Sequence, residues 1–255
     1  GSFILSNHRD LYLDTTIEMK NSLIPVKGYI KKDQIDLFTV DNTIDLEDVG
    51  PISVTPLYGK GRINLRVIGP PGKIKFLFDT DLKDFSVVGL NLGNIKGGVS
   101  LDLTSLKLGL IGIEGDYLGN IYKGGGYLDF SKARTIDLKI NIQKAEYQST
   151  LNMINPVVKK IRRYFPEISM TYNSNLTITG TMGQGGLVVA GELQARDIRY
   201  KTEDINSLKL KYSITNSEFD IPSLKINKER GVFEGNILYN FNSKQLEFDA
   251  DLIAL

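Results

Sequence analysis

The stretch GYLDFSKARTIDLKI, residues 126–140, holds two alternating segments separated by a polar turn. In its second segment Ile136, Leu138 and Ile140 alternate with an aspartate and a lysine. A period of two residues sends successive side chains to opposite faces of a β-strand. The stretch therefore predicts a β-hairpin with one apolar and one polar face.

The same hairpin recurs along the chain: a glycine, a short alternating strand, a polar turn and a longer alternating strand. The copies are roughly thirty to forty residues apart where no insert intervenes, a spacing that indicates stacked repeats. The glycine either relieves a bend or bulge in a long sheet or supplies a turn dihedral. Further clear copies begin at Gly28, Gly61 and Gly235, and looser ones near Gly98 and Gly191.

Composition agrees with a β fold. The 255 residues include 25 glycines and only six alanines, so turn formers are common and the best helix former is scarce. Alternation, rather than continuous apolar runs, favours antiparallel over parallel strands. We expect an all-β fold: a long, strongly bent antiparallel β-sheet, a groove-like solenoid of repeated hairpins. Residues 1–255 are expected to form one elongated segment of a longer protein, with residues 1–2 as a tag scar.

One short amphipathic helix is predicted at 155–166, where the alternation stops. Asn155 is expected to cap it and Pro156 to be its first residue. It either covers the apolar face of the sheet, with its basic side chains in water, or contacts a membrane or partner. Its apolar positions are Val157, Ile161 and Phe165, and its basic positions are Lys159, Lys160, Arg162 and Arg163.

Several functional classes are excluded or disfavoured by composition. The net charge of +1 provides no global field for nucleic acid, and no nucleic-acid partner is expected. With no cysteine and a single histidine, His8, thiolate zinc sites and cysteine nucleophiles are excluded and histidine clusters are not available. No metal, cofactor or catalytic residue is expected. The acid-rich stretch 41–48 does not fit a calcium loop and is expected to be a solvated turn or strand face.

Several of the repeats are similar to those of the AsmA/TamB family of bacterial envelope proteins. The resemblance is strongest from about residue 95 to residue 255 and is carried by a pattern of repeats. The matching segments are NLTITGT at 175–181, GGLVVAGELQA at 185–195, INSLKL at 205–210, FDIPSLKI at 219–226 and GVFEG at 231–235.

The resemblance implies a β-taco, a tightly bent sheet whose groove is lined by apolar side chains. It implies a periplasmic segment of a parent protein that is anchored in the inner membrane outside this chain. It also implies transport of phospholipids between the inner and outer membranes of a Gram-negative envelope, possible without a catalyst, and for TamB assembly of outer-membrane proteins with a β-barrel partner.

We expect the groove to bind acyl chains through the apolar positions of the alternating strands. The alternative for each position is an ordinary core residue of a closed sandwich or barrel. For the whole chain, the alternatives are a β-strand-templating scaffold or chaperone for outer-membrane protein assembly and a polysaccharide-acting solenoid enzyme. The predicted groove residues are Ile63, Leu65, Val67, Leu101, Leu103, Leu108, Ile136, Leu138, Ile140, Leu210, Tyr212, Ile237, Tyr239, Phe241, Leu246 and Phe248.

Overall fold

The computed structural model describes residues 2–6, 10–49, 57–87, 90–132, 134–154, 168–181 and 186–254. Among these described residues, strands account for 77% and helices for 5%, which confirms the all-β prediction. The strong bending of the sheet stays a prediction. The predicted helix at 155–166, with all seven of its named apolar and basic residues, lies outside the described residues.

The chain divides into two compact units. Unit 1 comprises Gly1–Asp116 and Gly125–Ala133, and unit 2 comprises Tyr117–Gly124 and Arg134–Leu255. The expectation of one elongated segment stays a prediction.

Unit 1 is built from antiparallel hairpins and one short helix. Neighbouring strands pair in chain order from β1 to β4, and β6 then pairs with both β4 and β5 before β7, β8 and β9 follow. The elements are β1 Ser2–Ser6, β2 Asp10–Glu18, β3 Leu23–Ile30, β4 Ile35–Thr39, β5 Ile44–Asp45, α1 Leu46–Val49, β6 Leu57–Gly69, β7 Lys75–Val87, β8 Leu90–Asp102 and β9 Lys107–Tyr117. Strand β10, Asn120–Asp129, contributes residues to both units.

Unit 2 is an antiparallel meander from β11 to β17, in which every strand pairs with the next. Its helix follows β11 directly, ahead of the segment predicted to be helical. The elements are β11 Thr135–Glu146, α2 Tyr147–Ile154, β12 Ile168–Thr181, β13 Leu187–Tyr200, β14 Glu203–Ile214, β15 Glu218–Lys228, β16 Gly231–Asn240 and β17 Leu246–Ala254.

The predicted alternation is visible in the burial of the strands. Along β6, Arg62, Asn64 and Arg66 are exposed whereas Ile63 and Leu65 are half-buried. The polar side chains of such strands pair with one another across the sheet: Arg66 donates two hydrogen bonds to the Asp36 carboxylate, of 2.9 and 2.7 Å. Strand β6 therefore has one charged and one apolar face, as its sequence predicts.

All six repeat glycines lie inside strands, so the turn interpretation of the glycine is wrong at these positions. At Gly28 (φ +133°) and Gly61 (φ +157°) an added Cβ would lie 2.0 and 2.1 Å from a carbonyl oxygen of the neighbouring strand. Both the backbone conformation and the close approach of the next strand require glycine.

The close approach predicts unequal costs for two glycine substitutions. Gly61→Ala should destabilise the protein by about 3 kcal/mol, because the methyl group meets rigid backbone. Gly72→Ala should cost only about 1 kcal/mol, since its φ of +86° is unfavourable but no atom lies within 4 Å. Urea unfolding of both variants measures the difference, and equal costs would show that steric contact is not what requires glycine at residue 61.

Candidate functional site

The apolar face of unit 1 consists of side chains that line up from strand to strand. Leu13 on β2, Leu37 on β4 and Val67 on β6 stand in one row across the sheet, with Gly28 between the first two. The row continues through Phe76, Leu101 and Leu108 on β7, β8 and β9. A second row, formed by Leu65, Phe78, Val99 and Leu110, runs beside it. We call the following half-buried residues the unit 1 face: Leu13, Leu37, Leu65, Val67, Phe76, Phe78, Val99, Leu101, Leu108 and Leu110.

Towards one end of unit 1 the apolar side chains become fully buried. Leu82 and Ile95 face each other across β7 and β8, and both are less than 10% exposed. Ile44 on β5 and Leu46 on α1 are buried to a similar extent. Helix α1 thus stands at the end of the unit where the apolar surface is closed, whereas the unit 1 face is left half-exposed.

Helix α1 is held in place by an aspartate that is almost completely buried. Asp45 is 2% exposed, and its Oδ1 accepts a hydrogen bond from the Glu47 backbone N–H at 3.1 Å, which caps the helix. Its Oδ2 lies 2.9 Å from the Nζ of Lys60 on β6. The expectation that stretch 41–48 is solvated is therefore wrong at Asp45, because cap and ion pair together compensate its burial.

The surroundings of Asp45 also tie α1 to the β2–β3 turn. The Ser22 hydroxyl donates to Asp48 Oδ2 at 2.7 Å and accepts from the Asp45 backbone N–H at 2.9 Å. The hydrogen bond and charge of Lys60 lower the pKa of the Asp45 carboxyl, against the opposing effect of burial. The same contact raises the pKa of Lys60.

The lowered pKa of Asp45 predicts an acid-sensitive contribution to stability. Because the folded pKa lies below the unfolded one, this contribution is complete above about pH 4 and disappears as the pH falls through the folded value. Asp45→Asn keeps a helix-capping side chain but loses the charge. We expect it to lower the urea midpoint at pH 7 and to flatten the decline of that midpoint between about pH 5 and pH 2.

The matched control is Asp14→Asn, which removes an exposed aspartate 3.2 Å from Lys27. Exposed pairs contribute little to stability, so this variant should keep the wild-type pH profile. Parallel profiles for Asp45→Asn and the wild type would contradict the role assigned to the Asp45–Lys60 pair.

Unit 2 repeats the arrangement with a longer row. Leu138, Ile178, Val189, Ile214, Phe219, Tyr239 and Leu246 stand in register on seven successive strands. Beside them, Ile237 faces both Ile221 and Phe248. The ring of Tyr239 also meets that of Phe241 edge-on, with centroids 5.6 Å apart. We call the following residues the unit 2 face: Leu138, Ile140, Leu176, Ile178, Val189, Tyr212, Phe219, Ile237, Tyr239, Leu246 and Phe248.

The opposite end of unit 2 is closed by helix α2. Leu151 of the helix is 4% exposed. The Thr150 hydroxyl shares a 2.7 Å hydrogen bond with the Tyr172 hydroxyl, and the Asn120 amide donates to Thr150 at 3.2 Å. The burial of Tyr172 raises the pKa of its phenol. Beneath the helix lies a buried cluster of Ala145, Tyr172, Ala195 and Ile198.

An open apolar cavity of about 330 Å³ lies next to this cluster. Its volume is at the lower limit of ordinary ligand sites. Its walls come from strands β12 to β15, and the side chains are Ile168, Met170, Ile198, Tyr200, Ile205, Leu208 and Ile226. The closed end of unit 2 therefore has room for an apolar group.

The structure places each of the sixteen predicted groove residues at an incompletely buried position. Leu103, Phe241, Leu246 and Phe248 are exposed, and the other twelve are half-buried. The registers align Val67 with Leu101 and Leu108 in unit 1, and Leu138 with Tyr239 and Leu246 in unit 2. Ile63 lies opposite Thr80 and so stands outside the continuous apolar rows. Whether these residues bind a lipid stays a prediction.

Some members of the two faces were not selected from the sequence. Phe76 and Phe78 connect Val67 to Leu101, and their rings are stacked with centroids 6.4 Å apart. Alternation places both on the apolar side of β7, so the signal was present. By contrast, no pattern in the sequence indicated that Leu46 closes an end of the unit 1 face.

Charged side chains occupy several of the strand positions between those of the two faces, whereas Leu77 and Leu238 are apolar residues at such positions. Lys211 lies 3.1 Å from Glu192, and Lys225 lies 2.5 Å from Glu234. Among the residues that the structure describes, no group of three or more acidic or histidine side chains could hold a metal ion. In the same part of the chain no helix is long and apolar enough to cross a bilayer.

Comparison of the chain with models of protein families, with curated proteins and with solved structures finds no match. A function has to be inferred from the two apolar faces themselves.

Proposed function

We propose that the unit 1 face and the unit 2 face bind the acyl chains of lipids and that the protein acts without catalysis. The observation that carries the proposal is the alignment of apolar side chains over up to seven consecutive strands that stay half-exposed or exposed. A closed core would bury such residues. An extended apolar chain laid along the rows would remove their surface from water.

The energetics of acyl binding favour this surface. Each buried methylene contributes about 0.8 kcal/mol, so ten of them supply about 8 kcal/mol before the cost of ordering the chain. Because the rows repeat with similar side chains, an acyl chain meets similar contacts at successive positions. On a surface of this kind the binding free energy of a lipid has no single deep minimum along the rows. Such a surface suits the conduction of lipids better than their storage.

The resemblance of the repeats to the AsmA/TamB family widens the proposal. We infer that the chain is a segment of a periplasm-spanning, bridge-like protein that conducts phospholipids between the inner and outer membranes. The parent would be anchored in the inner membrane outside this segment, and an outer-membrane β-barrel is a candidate partner. Charged outer strand positions support this assignment, since they keep the outside of such a bridge in water.

The test begins with lipids that accompany the protein purified without detergent. Extraction and mass spectrometry should find phospholipid in amounts comparable to the protein and above those of a mock purification. A clean blank would speak against acyl binding by the chain and would move the strand-templating alternative forward.

A point substitution on the exposed end of the unit 2 face tests the same proposal residue by residue. Phe248 is 65% exposed, so Phe248→Asp should leave the fold intact. A carboxylate in the path of an acyl chain is costly, and we expect lipid binding to fall at least about tenfold. Binding of a fluorescent fatty acid gives the measurement.

The control lies on the same strand. Ile253 is 48% exposed and alternates with the face positions along β17, so Ile253→Asp adds the same charge on the other side of the sheet. It should bind the fluorescent fatty acid like the wild type. Equal loss in both variants, or no loss at residue 248 in a folded protein, would contradict the assignment of the unit 2 face.

A further inference from the structure

The strand registers of unit 1 bring four turns to one end of the unit. The β3–β4 turn follows Ile30, and the β6–β7 and β8–β9 turns meet where Leu103 N–H donates to Ile74 C=O at 3.4 Å. Phe130 N–H donates to Leu106 C=O at 2.8 Å and so adds the fourth turn. We call turns 31–34, 70–74, 103–106 and 130–132, with the strand residues next to them, the basic end.

Charge is distributed unequally between the two ends of unit 1. Among the described residues of the basic end, with the Lys75–Asp102 pair set aside, five lysines face three aspartates: Lys31, Lys32, Lys73, Lys107 and Lys132 against Asp10, Asp33 and Asp129. At the other end, the acidic end, with Asp45–Lys60 set aside, five acids face two lysines among the described residues: Glu18, Asp41, Glu47, Asp48 and Asp84 against Lys20 and Lys83. The ends thus carry opposite charge in a chain of net charge +1.

Apolar side chains protrude from the turns of the basic end. Leu103, Leu106 and Phe130 are each about half exposed, at 47, 47 and 50%. Leu106 has a φ of +53°, a left-handed conformation that is uncommon for a bulky residue. Such a conformation persists where the surrounding structure enforces it, often at sites with a function. Here it places a leucine at the tip of a turn, in water.

Two of the lysines at this end are held over aromatic rings. The Nζ of Lys107 lies 3.6 Å from the centroid of the Tyr127 ring, and that of Lys31 lies 4.7 Å from the Tyr29 ring. Side chains with an apolar body and a polar tip suit a boundary between water and hydrocarbon. The basic end therefore combines positive charge, interfacial aromatic residues and protruding apolar side chains.

The unit 1 face is also open towards the basic end. The row through Val67, Phe76 and Leu101 stands next to the β6–β7 and β8–β9 turns. At the acidic end, α1 and its Asp45 cap accompany a fully buried apolar cluster. Any acyl chain on the unit 1 face would therefore enter or leave at the positively charged end.

We propose that the basic end of unit 1 docks on the surface of a bilayer that contains anionic lipid. Its lysines contact the headgroups, and Leu103, Leu106 and Phe130 enter the boundary between headgroups and acyl chains. The acidic end also exposes Ile17 and Leu23, so it is the charge that selects the end. That the docked protein carries acyl chains rests on the proposed function. The docking itself is tested separately, by binding to vesicles.

The first test measures binding to vesicles by co-sedimentation. The full chain should bind phosphatidylcholine vesicles that contain phosphatidylglycerol, more weakly as salt is added, and should not bind pure phosphatidylcholine. Lys32→Gln/Lys73→Gln should weaken binding roughly ten- to thirty-fold, from the usual contribution of each basic residue near an anionic surface. Lys20→Gln/Lys83→Gln has the same net charge but changes the acidic end, and should bind like the wild type.

The second test separates docking from stability. Asparagine adopts the left-handed conformation more readily than leucine, so Leu106→Asn should leave the melting temperature unchanged or raise it. The same variant should bind anionic vesicles severalfold more weakly, because it loses an inserting side chain. Ile17→Thr at the acidic end is the control and should retain wild-type vesicle binding.

The outcomes distinguish this inference from the proposed function. Absence of binding to anionic vesicles, or equal loss in the two double-lysine variants, overturns the docking of the basic end. Binding to an acidic protein without any binding to vesicles overturns it as well. If the protein carries acyl chains but does not bind vesicles, the proposed function stands and only the docking of the basic end is overturned.

Discussion

The register of the antiparallel backbone ladder is the constraint on which the molecule depends. Side chains alternate between the two sides of a strand, so a shift of one residue would send every apolar side chain to the charged side. With the observed registers, Leu138 reaches Leu246 through five intervening apolar residues. The ion pairs between neighbouring strands, such as Arg66–Asp36, reinforce the same registers from the other side. One ladder therefore determines both the apolar faces and their charged reverse.

Both units close one end of an apolar face with a short helix, but they attach it differently. Helix α1 depends on a buried charge, Asp45, which is compensated by Lys60 and by the helix N-terminus. Helix α2 depends on neutral hydrogen bonds among Asn120, Thr150 and Tyr172. In the first attachment the buried group is a carboxylate, and its loss of charge in acid would weaken that attachment. In either case the helix buries an apolar side chain, Leu46 in α1 or Leu151 in α2.

Prediction from the sequence succeeded for features that the residues of a single strand or hairpin determine. The sides of Ile136, Leu138 and Ile140 follow from alternation alone, and so does the hairpin that contains them. Prediction failed for features that depend on contact with a second segment of the chain. Asp45 is buried because Lys60, fifteen residues away, neutralises it, and Gly61 is required because the carbonyl of Asp81 approaches it from the next strand. The difference in charge between the two ends of unit 1 likewise depends on which turns lie at the same end. No local pattern in the sequence indicates this.

The sequence by itself therefore determined the all-β class, the antiparallel hairpins and the apolar side of each strand, because these depend on residues two positions apart. Tertiary structure alone decided that seven strands align their apolar residues, that Leu46 closes one end of the unit 1 face, and that the lysines of distant turns lie at the same end of unit 1 as Leu106. These features depend on pairing between residues that are far apart in the chain. Register and backbone approach, which are properties of strand pairs, bring such residues together.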